Sequence, residues 1–224
     1  MAIFDEEAIH YDEWYGTKKG AFIDRIETKC AFELFKTHEG MKILDVGCGT
    51  GNFSIKLAEL GCEIVGIDVS DRMLEMARKK ASSKNLKVEF LRMDACNLDF
   101  ADETFDGVIS IATLEFVSNY QKAIDEMFRV VKRGGQILIG TINKDSKWGK
   151  FYKSKDLSNT VFKYAKFKNL KELAKVHNDE LVEVRKCLFI PPNLDEEQYN
   201  LKNEERYSKS EEGGFICALW IKSK

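Results

Sequence analysis

The sequence predicts an α/β fold: a largely parallel sheet with helices packed on both faces. Three observations predict it. Between residues 41 and 140, short apolar runs alternate with amphipathic ones, the pattern of parallel strands joined by right-handed helical crossovers. The first apolar run, Ile43-Leu44-Asp45-Val46, ends in glycines at alternate positions, Gly47, Gly49 and Gly51, and an amphipathic helical pattern (Phe53, Ile55, Leu57, Ala58, Leu60) opens directly after them. Each of the first three strands runs into an aspartate, namely Asp45, Asp68 and Asp94.

The elements follow in order. Residues 20–38 carry Phe22, Ile26, Ala31, Leu34 and Phe35 at helical spacing and predict a helix covering the sheet. The second strand is Glu63-Ile-Val-Gly-Ile-Asp68, after which Ser70 reads as a helix N-cap with Asp71 in the first turn. Val88-Glu-Phe-Leu-Arg-Met-Asp94 is the third strand and Phe105 to Ala112 the fourth. Glu126-Met-Phe-Arg-Val-Val-Lys-Arg-Gly134-Gly135 reads as a helix with a glycine stop before a fifth strand. A helix at 169–177 precedes a sixth strand at 181–190 that Pro191-Pro192 ends. Residues 195–212, with seven acids against three bases, read as a solvated helix or loop. Gly213-Gly214 then leads into a seventh strand, Phe215 to Ile221. With no low-complexity linker and no internal repeat, residues 1–224 read as a single domain.

Composition bounds the rest. The 224 residues are 44% hydrophobic and 32% charged, with a formal net charge of -2 and a pI near 6.0. That balance favours neither a nucleic-acid nor a membrane partner. No run approaches the roughly 18 apolar residues of a membrane helix, and the acidic N-terminus lacks a signal core, so a cytoplasmic protein is expected. The six cysteines form no C-x-x-C pair and read as reduced, mostly buried thiols; with three histidines, no metal site is expected. Oligomeric state is not readable.

The glycine turn is the most informative feature. Glycines let the backbone bend tightly and let a ligand lie against it, and the amides and dipole of the new helix can hold an anionic ligand group. A dinucleotide fingerprint requires G-x-G-x-x-G, whereas here the glycines run G-x-G-x-G and position 52 is Asn. Asp45 is a poor neighbour for a pyrophosphate and a good one for a cation, such as the sulfonium and amine of S-adenosylmethionine. These residues argue against an NAD-dependent oxidoreductase.

At these motifs the chain resembles the class I S-adenosylmethionine-dependent methyltransferases, closest to the branch containing the ubiquinone and menaquinone methyltransferases. The resemblance implies a Rossmann-like seven-stranded sheet whose last strand inserts antiparallel between the fifth and sixth. It implies that Asp45, Gly47, Cys48, Gly49 and Gly51 face S-adenosylmethionine, that Asp68 with Val69 meets the ribose, and that Met73, Asp94 and Ala95 meet the adenine. Ile111 and Ala112 would line the methionine part, and Tyr15, with Tyr11 behind it, would fold over the site. It divides the chain into an N-terminal cap (1–38), a cofactor-binding core (40–140), a flap (143–168) and a C-terminal completion of the sheet (169–224).

The function expected is methyl transfer to a small-molecule acceptor by in-line displacement, with S-adenosylhomocysteine as product and catalysis mainly by positioning. A catalytically silent cofactor-binding module acting through partner contacts is the alternative. His10 and Glu115 are weak candidates for a base; Glu115 stands where many relatives carry His. The flap holds six aromatics, eight lysines and two acids. Its residues Lys147, Trp148, Lys150 and Tyr152 suggest a flat or apolar acceptor with an anionic group, against the plainer reading of a solvated lysine face over an aromatic underside.

Overall fold

The computed structural model describes residues 2–223. In chain order the strands are β1 (Lys42–Val46), β2 (Glu63–Asp68), β3 (Val88–Arg92), β4 (Phe105–Ile111), β5 (Val131–Ile142), β6 (Leu181–Cys187) and β7 (Phe215–Ile221). They make one sheet in the order β3-β2-β1-β4-β5-β7-β6. The pairs from β3 to β5 are parallel, and β7 runs antiparallel to β5 and β6. This is the expected architecture, with the last strand inserted antiparallel.

The central strands read as apolar runs because both faces are covered. Ile43, Ile109, Leu138, Cys217 and Leu219 pack on one side, under helix α1 (Lys18–Leu34). Their neighbours Leu44, Val108, Ile137, Ile139, Ile216 and Ala218 pack on the other, under α4 (Tyr120–Val130). Helix α2 (Asn52–Glu59) follows the glycine turn, and α3 (Asp71–Ser83) begins at Ser70, whose side chain accepts a hydrogen bond from the Met73 amide at 3.1 Å. No helix among the described residues is long and apolar enough to cross a membrane.

Four expectations are corrected. Helix α4 does not run to a glycine stop: it ends at Val130, and buried Val131 already pairs with Phe105. Gly134 and Gly135 lie in an irregularity of β5 tied to Lys222 by backbone bonds of 2.8 and 3.0 Å. Strand β6 stops at Cys187, because the Glu204 carboxylate, on α7 (Leu201–Tyr207), takes the amides of Phe189 and Ile190 at 2.9 and 3.0 Å. The helix expected at 169–177 is one turn, α6 (Leu170–Leu173), closed by a capping box between Asn169 and Glu172.

The flap is the fourth. Helix α5 (Lys147–Tyr152) is followed by 3-10 turns at Lys155–Leu157 and Val161–Tyr164. Trp148 is 2% exposed and donates its indole N–H to the Ile190 carbonyl at 2.7 Å, so it joins the core with α1 and the sheet. Lys147 pairs at the surface with Glu211 at 2.7 Å, and Lys150 is exposed. A large side chain with its one donor satisfied is scaffold. Trp148→Ala is therefore expected to cost about 3–5 kcal/mol in urea unfolding, with cofactor affinity unchanged in the fraction that folds.

Candidate functional site

The chain turns sharply where β1 ends. Gly47 and Cys48 both donate their amides to the Ile67 carbonyl at 2.8 Å, Gly49 donates to Asp68 Oδ2 at 3.0 Å, and Gly51 donates to the Cys48 carbonyl at 2.8 Å. Three of these amides knit the turn to β2 and the fourth closes the turn on itself, while no side chain caps the start of α2. Gly47 (φ 73°) is also pressed against the loop after β4: a Cβ there would lie 2.0 Å from Thr113 Cγ2, and Thr113 Oγ1 donates to the Gly47 carbonyl at 3.0 Å. Gly49 (φ 54°) is different, since a Cβ there would meet nothing within 4 Å. It faces open space.

That space is a cavity of about 330 Å³ over the carboxyl ends of β1, β2 and β4, the crevice where open α/β sheets bind ligands. It is of small-ligand size, within the ~300–1,000 Å³ typical of such sites. The turn lines it with Asp45, Gly47, Cys48 and Gly49; β2 and its loop add Asp68, Val69 and Met73. Asp94, Ala95, Ile111 and Ala112 close the far wall, and Tyr15 with Tyr11 covers it. Of the positions expected at the cofactor, only Gly51 is not in this wall; it packs toward Ala77 and Phe90.

The electrostatics are one-sided. Five carboxylates line the cavity, from Asp24, Glu27, Asp45, Asp68 and Asp94, and among the described lining residues there is no Lys, Arg or His. Asp45 is 2% exposed; burial, with Asp68 nearby, pushes its pKa up to about 6 despite a 2.6 Å hydrogen bond from Ser54 Oγ. Burial also raises Asp68, although the amides of Ser70 (2.9 Å) and Gly49 (3.0 Å) favour its charged form. Asp94 accepts the Cys96 amide at 2.8 Å in a local turn. Ala112 sits at φ 50° with its amide on the Gly140 carbonyl, a strained backbone in the cleft wall.

The N-terminal segment is a roof with two pins. Its 3-10 turn, Tyr11–Gly16, carries Asp12, which accepts Thr50 Oγ1 at 2.8 Å and pairs with Lys80 at 2.6 Å; Lys80 also reaches Asn52 Oδ1 at 2.6 Å. Nearer the terminus, Asp5 accepts Ser70 Oγ at 2.6 Å, and Phe4 stacks edge-on against Phe116 at 4.8 Å. Tyr15 lies in the cavity wall beside Tyr11.

Neither candidate base lies in the cavity wall. His10 is exposed and bonded to Glu13 at 2.7 Å. Glu115 is 1% exposed and accepts Thr141 Oγ1 (2.7 Å) and the Ile142 amide (2.8 Å), so it fastens the end of β5. Of the flap residues, Lys147, Trp148, Lys150 and Tyr152 are all outside the lining, although Tyr152 stacks in an aromatic cluster with Phe162 at 4.2 Å.

Sequence reasoning missed Asp24 and Glu27. A signal was present: Glu27 lies four residues from both Ile23 and Ala31, which are buried on the sheet-facing side of α1. An acid inside an apolar stripe is the readable anomaly.

Comparison with known proteins agrees with this geometry. Residues 44–139 match a family described as a methyltransferase domain. An uncharacterized protein of Methanocaldococcus jannaschii is 33% identical over 97% of both chains. The demethylmenaquinone methyltransferase of Clavibacter sepedonicus is 36% identical over 62% of this chain, which spans only 56% of that enzyme. Among solved structures, a Thermotoga maritima protein described as an S-adenosylmethionine-dependent methyltransferase, possibly a histamine N-methyltransferase, superposes with a TM-score of 0.76 at 26% identity, covering 99% of this chain and 98% of its own.

The two glycines separate packing from ligand access. Gly47→Ala combines left-handed strain with a steric clash and is expected to cost about 3 kcal/mol or more. Gly49→Ala carries the strain alone, about 1–2 kcal/mol, but fills the cleft. Chemical unfolding should rank Gly47→Ala as the worse for stability, and ligand titration should show binding lost in Gly49→Ala.

Proposed function

The chain belongs to the S-adenosylmethionine-dependent methyltransferases, and from that premise we propose that the cleft over β1, β2 and β4 binds S-adenosylmethionine and passes its methyl group to a small-molecule acceptor. The observation that carries the reading is the cleft itself: open space at Gly49, walled by carboxylates with no basic side chain among the described lining residues. The group fits this lining, because its sulfonium and ammonium are cationic and its ribose offers hydroxyl donors. When bound, it supplies a methyl group made electrophilic by the sulfonium.

The residues divide the work. Asp68, its orientation fixed by two amides, would accept the ribose hydroxyls, as an acid at the end of a second strand does in Rossmann-like sites. Asp94 and Ala95 would meet the adenine beside Met73. Asp45, Gly47, Ile111 and Ala112 would hold the methionine part. Tyr15 and the pinned N-terminal segment would exclude water, leaving catalysis mainly to positioning. The acceptor would lie on the aromatic side of the cavity, by Phe53, Tyr11 and Tyr15. Because the flap lysines are absent from the lining, an anionic acceptor group is not carried forward. The six unpaired thiols support a reducing, cytoplasmic setting.

Calorimetric titration with S-adenosylhomocysteine tests the reading. Micromolar binding is expected for the intact chain, weakened about a hundredfold in Asp68→Ala by loss of charge-assisted hydrogen bonds; absence of binding to the intact chain would defeat it. Asp12→Ala unpins the roof, and in stopped-flow release it should shed the same ligand roughly tenfold faster while leaving the fold intact.

A further inference from the structure

We propose that Glu27 is the acceptor-binding residue of this cleft and that the acceptor is an organic amine, held as its cation between the Glu27 carboxylate and the rings of Tyr11 and Tyr15. The proposal rests on methyl transfer in the same cleft and deepens it by naming the acceptor class.

The geometry comes first. Glu27 projects from the buried side of α1 into the cavity wall, with Tyr11, Tyr15 and Phe53 also in that wall. Among the described residues, its carboxylate has neither a hydrogen bond nor an ion pair. Asp24, one turn earlier, shows the contrast: Lys56 pairs with it at 2.5 Å and also donates to Thr28 at 2.7 Å, so the nearest cation is already committed. Glu27 is half-buried in the cavity wall, and a partly desolvated carboxylate without a partner is completed by a cationic ligand at little further desolvation cost.

The surroundings choose the ligand. An anion would meet the carboxylates of the wall, and a dication would find no group of three or more His, Cys, Asp or Glu side chains able to hold it among the described residues. One carboxylate among tyrosine and phenylalanine rings is instead the chemistry that recognises an organic cation, by charge pairing and by attraction to ring faces.

The titration agrees. Burial, with Asp24 and Glu115 adding repulsion and Lys56 offsetting part of it, pushes the Glu27 carboxyl up to about 8. The groups that face it are Asp24 and Cys30 on its own helix, Lys56 on α2, Glu115 after β4, Tyr11 and Tyr15 in the roof, Tyr152 on α5, Cys187 on β6 and Cys217 on β7. At neutral pH the empty site therefore holds a proton, which an arriving cation displaces.

The transfer balances with these groups. An ammonium N–H bond breaks and its proton passes to Glu27, leaving a lone pair on nitrogen. That pair forms the N–CH₃ bond as the S–CH₃ bond breaks, and the bonding electrons stay on sulfur, giving a neutral thioether. The products are the N-methylated ammonium and S-adenosylhomocysteine, with the proton held by Glu27 and released to water on opening.

Three matched probes test this: 2-phenylethylamine, 2-phenylethanol and 3-phenylpropionate, each titrated calorimetrically into protein saturated with S-adenosylhomocysteine. The amine is expected to bind at least tenfold tighter than the alcohol, and the acid not at all. Below about pH 8, binding the cation expels the Glu27 proton, so the amine's affinity should fall about tenfold per pH unit toward pH 6 and hold level from about 8 to 10. Glu27→Gln should abolish this slope and the preference for the amine while S-adenosylhomocysteine still binds.

The ligand-free protein gives a second readout. A carboxyl raised by burial stabilises the fold below its unfolded value and loses that contribution as pH rises through about 8. Relative to wild type, Glu27→Gln should thus gain melting temperature between about pH 5 and pH 8 and level off above that. An amine bound no better than the alcohol, or an amine preference surviving in Glu27→Gln, would overturn the proposal with methyl transfer intact; failure of S-adenosylhomocysteine itself to bind would remove the reading beneath it.

Discussion

The whole carboxyl end of this sheet depends on how closely the turn after β1 approaches the ends of β2 and β4. Gly47 has no room for a Cβ against Thr113, and its carbonyl accepts that residue's hydroxyl. The amides of Gly47 and Cys48 meanwhile close onto Ile67. With the turn fixed on both sides, Gly49 is left over the cavity and Asp68 is drawn beneath it. Moving the turn outward by an ångström would detach the Asp68 carboxylate from the Gly49 amide and open the crevice at the topological switch point. The ligand site is thus a by-product of strand-end packing, which is why a short G-x-G-x-G run carries so much information.

The same closeness sets the electrostatics. The turn's amides at Gly47, Cys48 and Gly49 are consumed by β2, and the charged side chains that face the cavity among the described lining residues are all carboxylates. Asp45 and Glu27 are held at raised pKa values by burial. Both resist ionisation in the empty site, and a cationic ligand relieves that resistance. On the proposed reading, part of the binding free energy would come from an unfavourable arrangement in the protein, the usual relation between a functional site and local instability.

Most of the fold was legible, because period and punctuation act locally. Apolar runs on both sheet faces identified the strands, and Ser70 marked the start of α3. What failed did so where tertiary contacts overruled local signals. Gly134 reads as a helix stop, yet Val131 earns more by pairing with Phe105 in the sheet than by extending α4. Trp148 reads as a flap aromatic, but a satisfied indole under α1 and the sheet is more stable than an exposed one. At the site, the positions attached to strand ends were readable since topology delivers them together. Glu27 stands out in sequence only as an acid between Ile23 and Ala31 in the apolar stripe of α1; its meaning depends on the roof and the turn that enclose it.

That division has a consequence for where specificity resides. The methyltransferase-domain match begins at residue 44, so it includes Asp45, Asp68 and Asp94 but neither α1 nor the roof. Tyr11, Tyr15, Asp24 and Glu27 all precede it and face the same cavity. On the proposed reading, the cofactor end of the cleft is built from strand ends inside the methyltransferase-domain match, whereas the acceptor end is built largely from the first thirty residues. A helix gives that half a rigid base: Glu27 is anchored between buried Ile23 and Ala31, while the aromatic groups opposite it ride on a segment held by the Asp5–Ser70 and Asp12–Lys80 contacts. On the proposed reading, a fixed charge facing a releasable aromatic roof would let an acceptor enter, be oriented and leave without disturbing the cofactor end.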